Sequence, residues 1–310
     1  MTLLSLPACP DIAGAVVWGD ARCVPEGITR PFAPWLLDYA LPVVAAVAVL
    51  LMIRSAVRQK KLTWMLMIST ASASTWWLEA FGDWGQHLSY SPVFNHYVLT
   101  WTYTAPHNPL WMPLMYAVYW VAHAWAILKL AEWSRRKFGW SLGKGIVLLS
   151  IPLTFVWNLI IEGFAAWAGW WTYEPGIGPV LDMGRGNWPL LWPMLLMFGW
   201  INLISWVVGP PHEATRFNRL ERLFRLDTLL QRTGWHTLAR VMPSTAVEGP
   251  ESRVALADRL EVLDPAAGSA RFQLVRMCCW VVFFNVTFVL TLDVPLVAVR
   301  LISGWTTPYF

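Results

Sequence analysis

The chain has 310 residues, of which 56% are hydrophobic and 14% are charged, and its formal net charge is +4. Soluble domains carry roughly 25% charged residues, so this composition excludes an ordinary soluble protein and indicates an integral membrane protein. The positive charge is concentrated in short stretches between apolar segments, a distribution that predicts membrane topology and no nucleic-acid partner.

The first segment, residues 1–34, lacks both a basic start and a continuous apolar core. It therefore predicts no cleavable signal peptide. Cys9 and Cys23 lie in this segment, and an oxidising exterior would permit a disulfide between them without requiring one.

Six apolar stretches are close to the length that a membrane-crossing helix needs, about 20 residues. They predict an all-α, polytopic bundle with about six transmembrane helices in a single membrane domain, 1–310. The predicted spans are 35–53, 62–78, 110–130, 145–167, 188–208 and 272–292.

The first, third and fifth connections carry most of the basic residues. Lys and Arg mark cytoplasmic loops, so these three connections are predicted inside and both termini outside. We expect a bacterial plasma-membrane protein with the loops 80–109 and 168–187 on the outer side.

The fifth connection, residues 209–271, is the only sizeable loop. Residues 214–232 combine arginines with Phe217, Leu220, Phe224 and Leu229 or Leu230. This pattern predicts one amphipathic helix that lies on the anionic inner leaflet.

Two groups of polar residues stand out beside the second and fourth spans. Glu79, Asp83 and His87 follow one another at spacing four, and Asn158 and Glu162 share that spacing. Such residues would lie on one face of each helix. Ionisable groups in apolar spans are costly and usually functional, so these two faces predict a site.

The outer loops add further candidates to the same side of the membrane. Tyr173, Asp182 and Arg185 follow the fourth span, and Trp171 precedes them. Topology therefore predicts that these side chains converge on the acids. Tryptophan is abundant, with 23 in the chain. Trp76, Trp77 and Trp84 flank the first acidic group and would form aromatic walls.

These residue types are suited to acid–base chemistry on a lipophilic substrate. Glu162, the most deeply placed acid, is expected to be the general acid, while Asp83 or Glu79 acts as base and His87 relays protons. Indole faces stabilise cations, which suits an oxocarbenium or carbocation intermediate.

Structural explanations exist for the same residues. Glu79 and Asp83 could be an exposed helix end, and Asn158 with Glu162 could make an interhelical hydrogen bond. Asp182 and Arg185 could form a loop salt bridge. His123, one turn from Tyr119, is more typical of a satisfied core histidine.

No metal and no cofactor are expected. Glu79, Asp83, His87 and His96 could supply ligands, but the chain lacks the clustered histidines of membrane di-iron enzymes. It also lacks a phosphate-binding loop, a dinucleotide-binding glycine motif and an aspartate-rich diphosphate motif.

Four segments resemble the AveC-like family, the membrane spirocyclases of macrolide polyketide pathways. The similar segments are TWWLEAFGDWGQHLSYSPVFNH, WNLIIEGFAAWAGWWTYEPG, NWPLLWPMLLMFGW and RFQLVRMCCWVVFFNVTFVL. The resemblance implies spiroketal formation, with or without dehydration, on a polyketide-like dihydroxy ketone. The pairing of Glu79 with Asp83 is not a residue-for-residue copy of the family pattern.

Three other functions remain open at this point. A proton-initiated terpene cyclase or a sterol-type isomerase would use the same acids and aromatics. A non-catalytic lipid-binding protein would not need them for chemistry. A transporter is disfavoured by the small number of spans and the lack of an internal repeat.

Overall fold

The computed structural model describes residues 15–18, 22–99, 101–173, 178–191, 194–209, 216–233, 235 and 268–304. These residues are mostly helical. Among them, four helices are long and apolar enough to cross a membrane: Leu36–Gln59, Met112–Phe138, Leu142–Ala168 and Ala270–Ser303. The prediction of a membrane protein is therefore supported, and within the described residues four of the six predicted spans contain a helix of that length.

The first long helix begins with a π-helical turn, Leu36–Ala40, and continues as α1, Leu41–Gln59. The helix α4, Met112–Phe138, lies at the centre of the bundle. It packs against α1 and against three further helices, α2 (Trp64–Ala73), α5 (Leu142–Ala168) and α6 (Met194–Val208). The helix α5, Leu142–Ala168, approaches α4 closely at Gly145, where an added Cβ would lie 2.6 Å from Ser134 Oγ. Small residues at such crossings let membrane helices pack tightly.

The second predicted span, 62–78, is not one continuous helix. It contains α2, Trp64–Ala73, and a 3₁₀ turn, Trp76–Leu78, and α3, Glu79–Gln86, follows directly after it. Ser74 and Thr75 donate their hydroxyls to nearby backbone carbonyls at 2.6 and 2.8 Å, at the point where α2 ends. Such bonds compete with a regular helix, which explains the break.

The fifth predicted span is represented by α6, Met194–Val208, which has 15 residues. The last span begins as α9, Ala270–Phe288, widens into a π-helical turn, Val289–Asp293, and ends as α10, Val294–Ser303. A π-helical turn inside an α-helix often marks a functional site.

Short antiparallel strand pairs were not predicted, and they join the segments at one end of the bundle. β1, Ala15–Trp18, pairs with β2, Arg22–Pro25. β3, Leu88–Tyr90, pairs with β6, Trp171–Tyr173. The remaining pairs are β4, His96–Val98, with β5, His107–Pro109, and β7, Val180–Asp182, with β8, Asn187–Pro189.

The N-terminal segment packs on the same end of the bundle. Ser91 donates its hydroxyl to the carbonyl of Ile28 at 2.6 Å, and the amide of Phe32 donates to the carbonyl of Ala168 at 2.7 Å. Gly27 contacts the backbone of Arg185 so closely that any side chain would collide with it. Cys23 is disulfide-bonded, and Cys9, its expected partner, lies outside the described residues.

The predicted amphipathic helix of residues 214–232 is divided into two short helices. They are α7, Arg219–Leu223, and α8, Leu226–Thr233, separated by Arg225 in a left-handed conformation. Phe217, Leu226 and Leu230 are buried against Phe272. Part of the apolar side of this region thus packs against the protein, whereas Phe224 of the predicted apolar face remains exposed.

Candidate functional site

A cavity of about 470 Å³ lies inside the end of the bundle that carries the strand pairs. Its walls come from α3, α4, α5, α10 and the strands β3 and β6. Aromatic rings dominate the wall: Tyr90, Trp111, Tyr116, Tyr119, Trp120, Trp157, Phe164, Trp170, Trp171 and Tyr173. Glu79 and Glu162 are the two acidic residues among the lining residues, and none of these is Lys or Arg. We call this space the acid cavity.

Glu162 is held by two donors from β6. Tyr173 donates its hydroxyl to Glu162 Oε2 at 2.8 Å, and Trp171 donates its indole N–H to the same oxygen at 2.9 Å. The pairing of β6 with β3 fixes both donors at the cavity wall. Because Oε2 already accepts two hydrogen bonds, Oε1 is the oxygen left for a ligand.

Glu79 is held by tyrosines from two other elements. Tyr116 of α4 donates its hydroxyl to Glu79 Oε2, and Tyr90 of β3 donates to Oε1 at 3.4 Å. Glu79 and Glu162 repel each other electrostatically. Two carboxyls in a low-dielectric space are most stable when one of them holds a proton, so this pair can both give and take one.

Asp83 is fully buried, so it is not an exposed helix end. Its Oδ1 accepts a hydrogen bond from Gln86 at 3.1 Å, whereas Oδ2 has no partner among the described residues. Asp83 does not line the acid cavity, although its neighbour Gly82 does. The structure therefore brings four predicted residues together in the cavity wall: Glu79, Glu162, Trp171 and Tyr173. It places Asp83 outside that wall.

His87 lies at the end of α3 in a left-handed conformation, with φ of 58°. It is buried but does not line the acid cavity. Burial and, to a smaller extent, the charge of Arg300 lower the pKa of His87 to about 4. The imidazole is therefore neutral near pH 7, and its expected relay role stays a prediction.

The three predicted tryptophans near Glu79 contact other parts of the protein. Trp76 packs edge-on against Tyr97, with ring centroids 5.1 Å apart. Trp77 packs against Phe81 and Trp101. Trp84 lies beneath the guanidinium of Arg300, which is 3.9 Å from its ring centroid. None of these three indoles lines the acid cavity.

Asp182 and Arg185 belong to the β7–β8 turn and also lie outside the cavity lining. Asp182 accepts a hydrogen bond from the amide of Gly184 at 2.7 Å. Arg185 donates to the carbonyl of Trp167 at 3.3 Å. Their bonds stabilise the turn, and no salt bridge joins these two described residues.

Asn158 lies one helical turn from Glu162 and accepts a hydrogen bond from Tyr119 at 3.3 Å. This bond joins α5 to α4, so the structure supports the interhelical explanation for Asn158. His123 is buried between Tyr119, Trp120 and Trp157, and neither of its ring nitrogens has a hydrogen-bond partner among the described residues. His123 is therefore a core histidine, as predicted, but the described residues do not satisfy its hydrogen-bonding groups.

Sequence reasoning missed the tyrosines of α4 and one further acid. Tyr116 and Tyr119 lie at spacing three on the third span, a polar stripe that could have been recognised. Asp293 interrupts the last apolar segment and is 4% exposed. The same rule that singled out Glu162, an ionisable residue inside a span, would have found Asp293.

Within the described ranges, no group of three His, Cys, Asp or Glu residues is arranged to hold a metal ion. Comparison with known proteins adds no further constraint. No protein-family model, no curated protein and no solved structure matches this chain.

Proposed function

We propose that the protein is a membrane-embedded acid–base cyclase that acts on a lipophilic substrate. The observation that carries this proposal is the pairing of Glu79 and Glu162 inside an aromatic cavity. The volume of about 470 Å³ is within the range of small-molecule sites, about 300–1,000 Å³. The preferred reaction is spiroketal formation on a polyketide-like dihydroxy ketone, with membership of the AveC-like family as part of the same proposal.

The contacts favour different roles for Glu79 and Glu162 in proton transfer. The indole N–H of Trp171 can only donate, so it favours a charged Glu162 and the role of proton acceptor. Glu79 is buried and lies near Glu162, and both its burial and the charge of Glu162 disfavour a charged Glu79. We therefore assign proton donation to Glu79, whereas the sequence pattern favoured Glu162 as general acid.

The reaction would start when one substrate hydroxyl adds to the ketone and forms a hemiketal with no change in mass, and two further steps would follow. Glu79 gives its proton to the hydroxyl of a hemiketal, the carbon–oxygen bond breaks, and water leaves with formation of an oxocarbenium ion. A second substrate hydroxyl then attacks that carbon, and its proton passes to Glu162. The product is lighter than the dihydroxy ketone by one water, and proton exchange between the two carboxyls restores the starting state.

The aromatic wall would stabilise the intermediate and exclude competing water. Trp171 packs against Tyr90 and Trp111, with ring centroids 5.8 and 6.3 Å apart. These faces offer negative potential to a cation without acting as nucleophiles. Because the rings pack on one another, they would also hold the substrate in one folded shape and so fix the stereochemistry.

The membrane setting is part of this proposal. The broken second segment and the 15-residue α6 would complete a bundle of about six spans, with both termini and the acid cavity toward the outer side of a bacterial plasma membrane. The basic connections at the opposite end support that orientation. A lipophilic substrate would then reach the cavity from the bilayer.

The test is accurate-mass profiling of lipid extracts from cells that make the wild-type protein, the Glu162→Gln variant or neither. We expect a product in the wild-type cells alone that is one water lighter than its precursor. The matched control is Asp182→Asn, which removes an exposed carboxyl on the β7–β8 turn and should retain the product. The precursor is supplied to all cultures as a synthetic dihydroxy ketone.

Other outcomes favour the rival functions. A wild-type product with the same mass as its precursor would indicate a proton-initiated terpene cyclase or sterol-type isomerase, because protonation and ring closure lose no water. Binding of the ketone without conversion in any culture would replace the enzyme proposal with lipid binding or transport.

A further inference from the structure

Three aromatic rings of the acid cavity form one compact group beside both of its carboxyls. Tyr90, Trp111 and Trp171 contact one another pairwise, with ring centroids 5.8 to 6.3 Å apart. Trp171 also donates to Glu162, and Tyr90 donates to Glu79. All three rings line the cavity, so electron-rich ring faces lie next to the two acids. We call these three rings the aromatic corner.

One carboxyl oxygen beside the aromatic corner is open to the cavity. Glu162 is 7% exposed, and both of its hydrogen bonds are accepted by Oε2. No donor among the described residues reaches Oε1. The protein does not enclose this oxygen, in contrast to the two carboxyl oxygens of Asp293. A ligand inside the cavity can therefore contact Oε1 directly.

The acid cavity holds negative charge that no lining residue balances. With one proton between them, Glu79 and Glu162 keep one negative charge. Within the described ranges, neither carboxyl forms a salt bridge, and Arg185 and Arg300 lie outside the cavity lining. In a space of low dielectric constant, such a charge favours a cationic ligand over a neutral or anionic ligand of the same shape.

The surroundings favour an organic cation over a metal ion. Apart from the two acids and Gln86, the lining residues are apolar or aromatic. A small inorganic cation would lose its hydration without enough oxygen ligands to replace it. An alkylammonium group spreads its charge over methyl groups that can lie against ring faces, within about 6 Å of their centroids. The cavity volume of about 470 Å³ leaves room for a hydrocarbon body.

The mouth of the acid cavity faces the apolar outside of the bundle. Three side chains of α5 both line the cavity and are exposed: Ile160 at 61%, Ile161 at 39% and Phe164 at 42%. The lining continues on the first long helix with Leu37 and Leu41. All five side chains are apolar, so a ligand that enters between them needs a lipophilic body.

We propose that the acid cavity binds lipophilic amines in their protonated form. The ammonium group lies on Glu162 Oε1 and against the aromatic corner, and the hydrocarbon body extends toward α5. This inference shares the charged Glu162 with the cyclase proposal, but it requires no reaction. If the cyclase proposal also holds, such amines inhibit the enzyme, because the ammonium group occupies the place of the cationic intermediate.

The test uses the full chain reconstituted in phosphatidylcholine vesicles near pH 7. The probe is a dimethylamine on an eight-carbon chain that carries a diazirine, and peptide mass spectrometry locates the label after irradiation. We expect labelling of residues 157–173 that the unlabelled amine displaces. The matched competitor has an isopropyl group in place of the dimethylammonium group and is neutral. At equal content in the vesicles, it should displace the probe about tenfold less effectively.

Variants separate the charge from the shape of the cavity. Glu162→Gln removes the charge and keeps the shape, and Met115→Trp fills the cavity and keeps both acids; each should lower labelling about tenfold. Glu79→Gln leaves the Glu162 carboxylate in place and should lower labelling less. Asp182→Asn, on the β7–β8 turn, should leave it unchanged. Circular dichroism checks that each variant is folded, and the comparison of the two competitors needs no variant.

Three results would overturn the proposal: equal displacement by the neutral competitor, undiminished labelling in the folded Glu162→Gln protein, or undiminished labelling in the folded Met115→Trp protein. None of these readouts involves a reaction product. A protein that binds the amine but converts no ketone would contradict the cyclase proposal alone, and conversion without amine binding would contradict this inference alone.

Discussion

The last helix carries buried ionisable side chains in two opposite environments. Near its start, Arg276 donates to Glu221 at 2.6 Å, and Trp280 donates its indole N–H to the same carboxylate oxygen at 3.3 Å. About 25 Å further along the axis, at 1.5 Å per residue, Asp293 has no hydrogen-bond partner among the described residues. The comparison separates a structural ion pair from a buried carboxyl that the described residues leave without a hydrogen-bond donor.

The environment of each residue explains the difference. Glu221 belongs to the capping box of α7, where Asn218 and Glu221 bond to each other's backbone amides. Its bond to Arg276 therefore fixes α7 against α9. Among the described residues, Asp293, Glu79 and Glu162 form no salt bridge with a basic side chain. Buried acids without a cation destabilise a fold unless a ligand or a proton compensates.

The largest effect is expected for Glu79→Gln, which tests the acid cavity. Loss of a general acid lowers the rate by about 10²–10⁴-fold. The fold should survive, because the Gln carbonyl oxygen can accept from one of Tyr116 and Tyr90 and the Gln amide can donate to the hydroxyl of the other. Product formation from a supplied dihydroxy ketone, measured per mole of folded protein, checks this. Full activity in the variant would remove Glu79 from the mechanism.

Glu221→Gln should show the opposite pattern at the other end of the helix. It leaves the buried guanidinium of Arg276 without a counter-charge, so the free energy of unfolding should fall by about 3 kcal/mol. Activity per folded molecule should stay at the wild-type level. Chemical unfolding in detergent micelles measures the loss, and the double variant Glu221→Gln/Arg276→Met should recover much of it. No loss of stability would mean that the pair is unimportant.

Asp293→Leu should stabilise the protein, in contrast to Glu221→Gln. Removal of a buried, unpaired carboxyl should raise the free energy of unfolding by about 1–2 kcal/mol in micelles without added lipophile. The same unfolding experiment measures it, with Asp182→Asn as the exposed control. A loss of stability would show that Asp293 has a structural partner and would weaken the comparison.

The smallest effect concerns His87 and acid stability. Its folded-state pKa of about 4 lies below the ordinary value of 6.5, so the unfolded chain binds the proton first as the pH falls. The contribution of His87 to stability is therefore lost between pH 6.5 and 4 and changes little below that window. His87→Asn, which suits the left-handed backbone, should show a shallower decline in melting temperature from pH 7 to 4. Identical slopes for both proteins would contradict a buried neutral imidazole.

The sequence predicted the acidic residues of the cavity better than its walls. Glu79 and Glu162 were identifiable because a carboxyl in an apolar segment is costly and rare. Trp171 and Tyr173 followed from topology, because loops on one side of a membrane share that side. Trp76, Trp77 and Trp84 were misplaced because proximity along the chain says little about which way an indole packs around a broken helix.

The sequence by itself determined the composition of a membrane protein, its long apolar helices and two acids within or next to apolar segments, because composition and helical periodicity are local properties. Only the tertiary structure decided that β3 pairs with β6, that tyrosines from α4 hold Glu79, and that the second span breaks before α3. These features depend on contacts between residues far apart in the chain. They also depend on competition between side-chain and backbone hydrogen bonds, which hydropathy does not register.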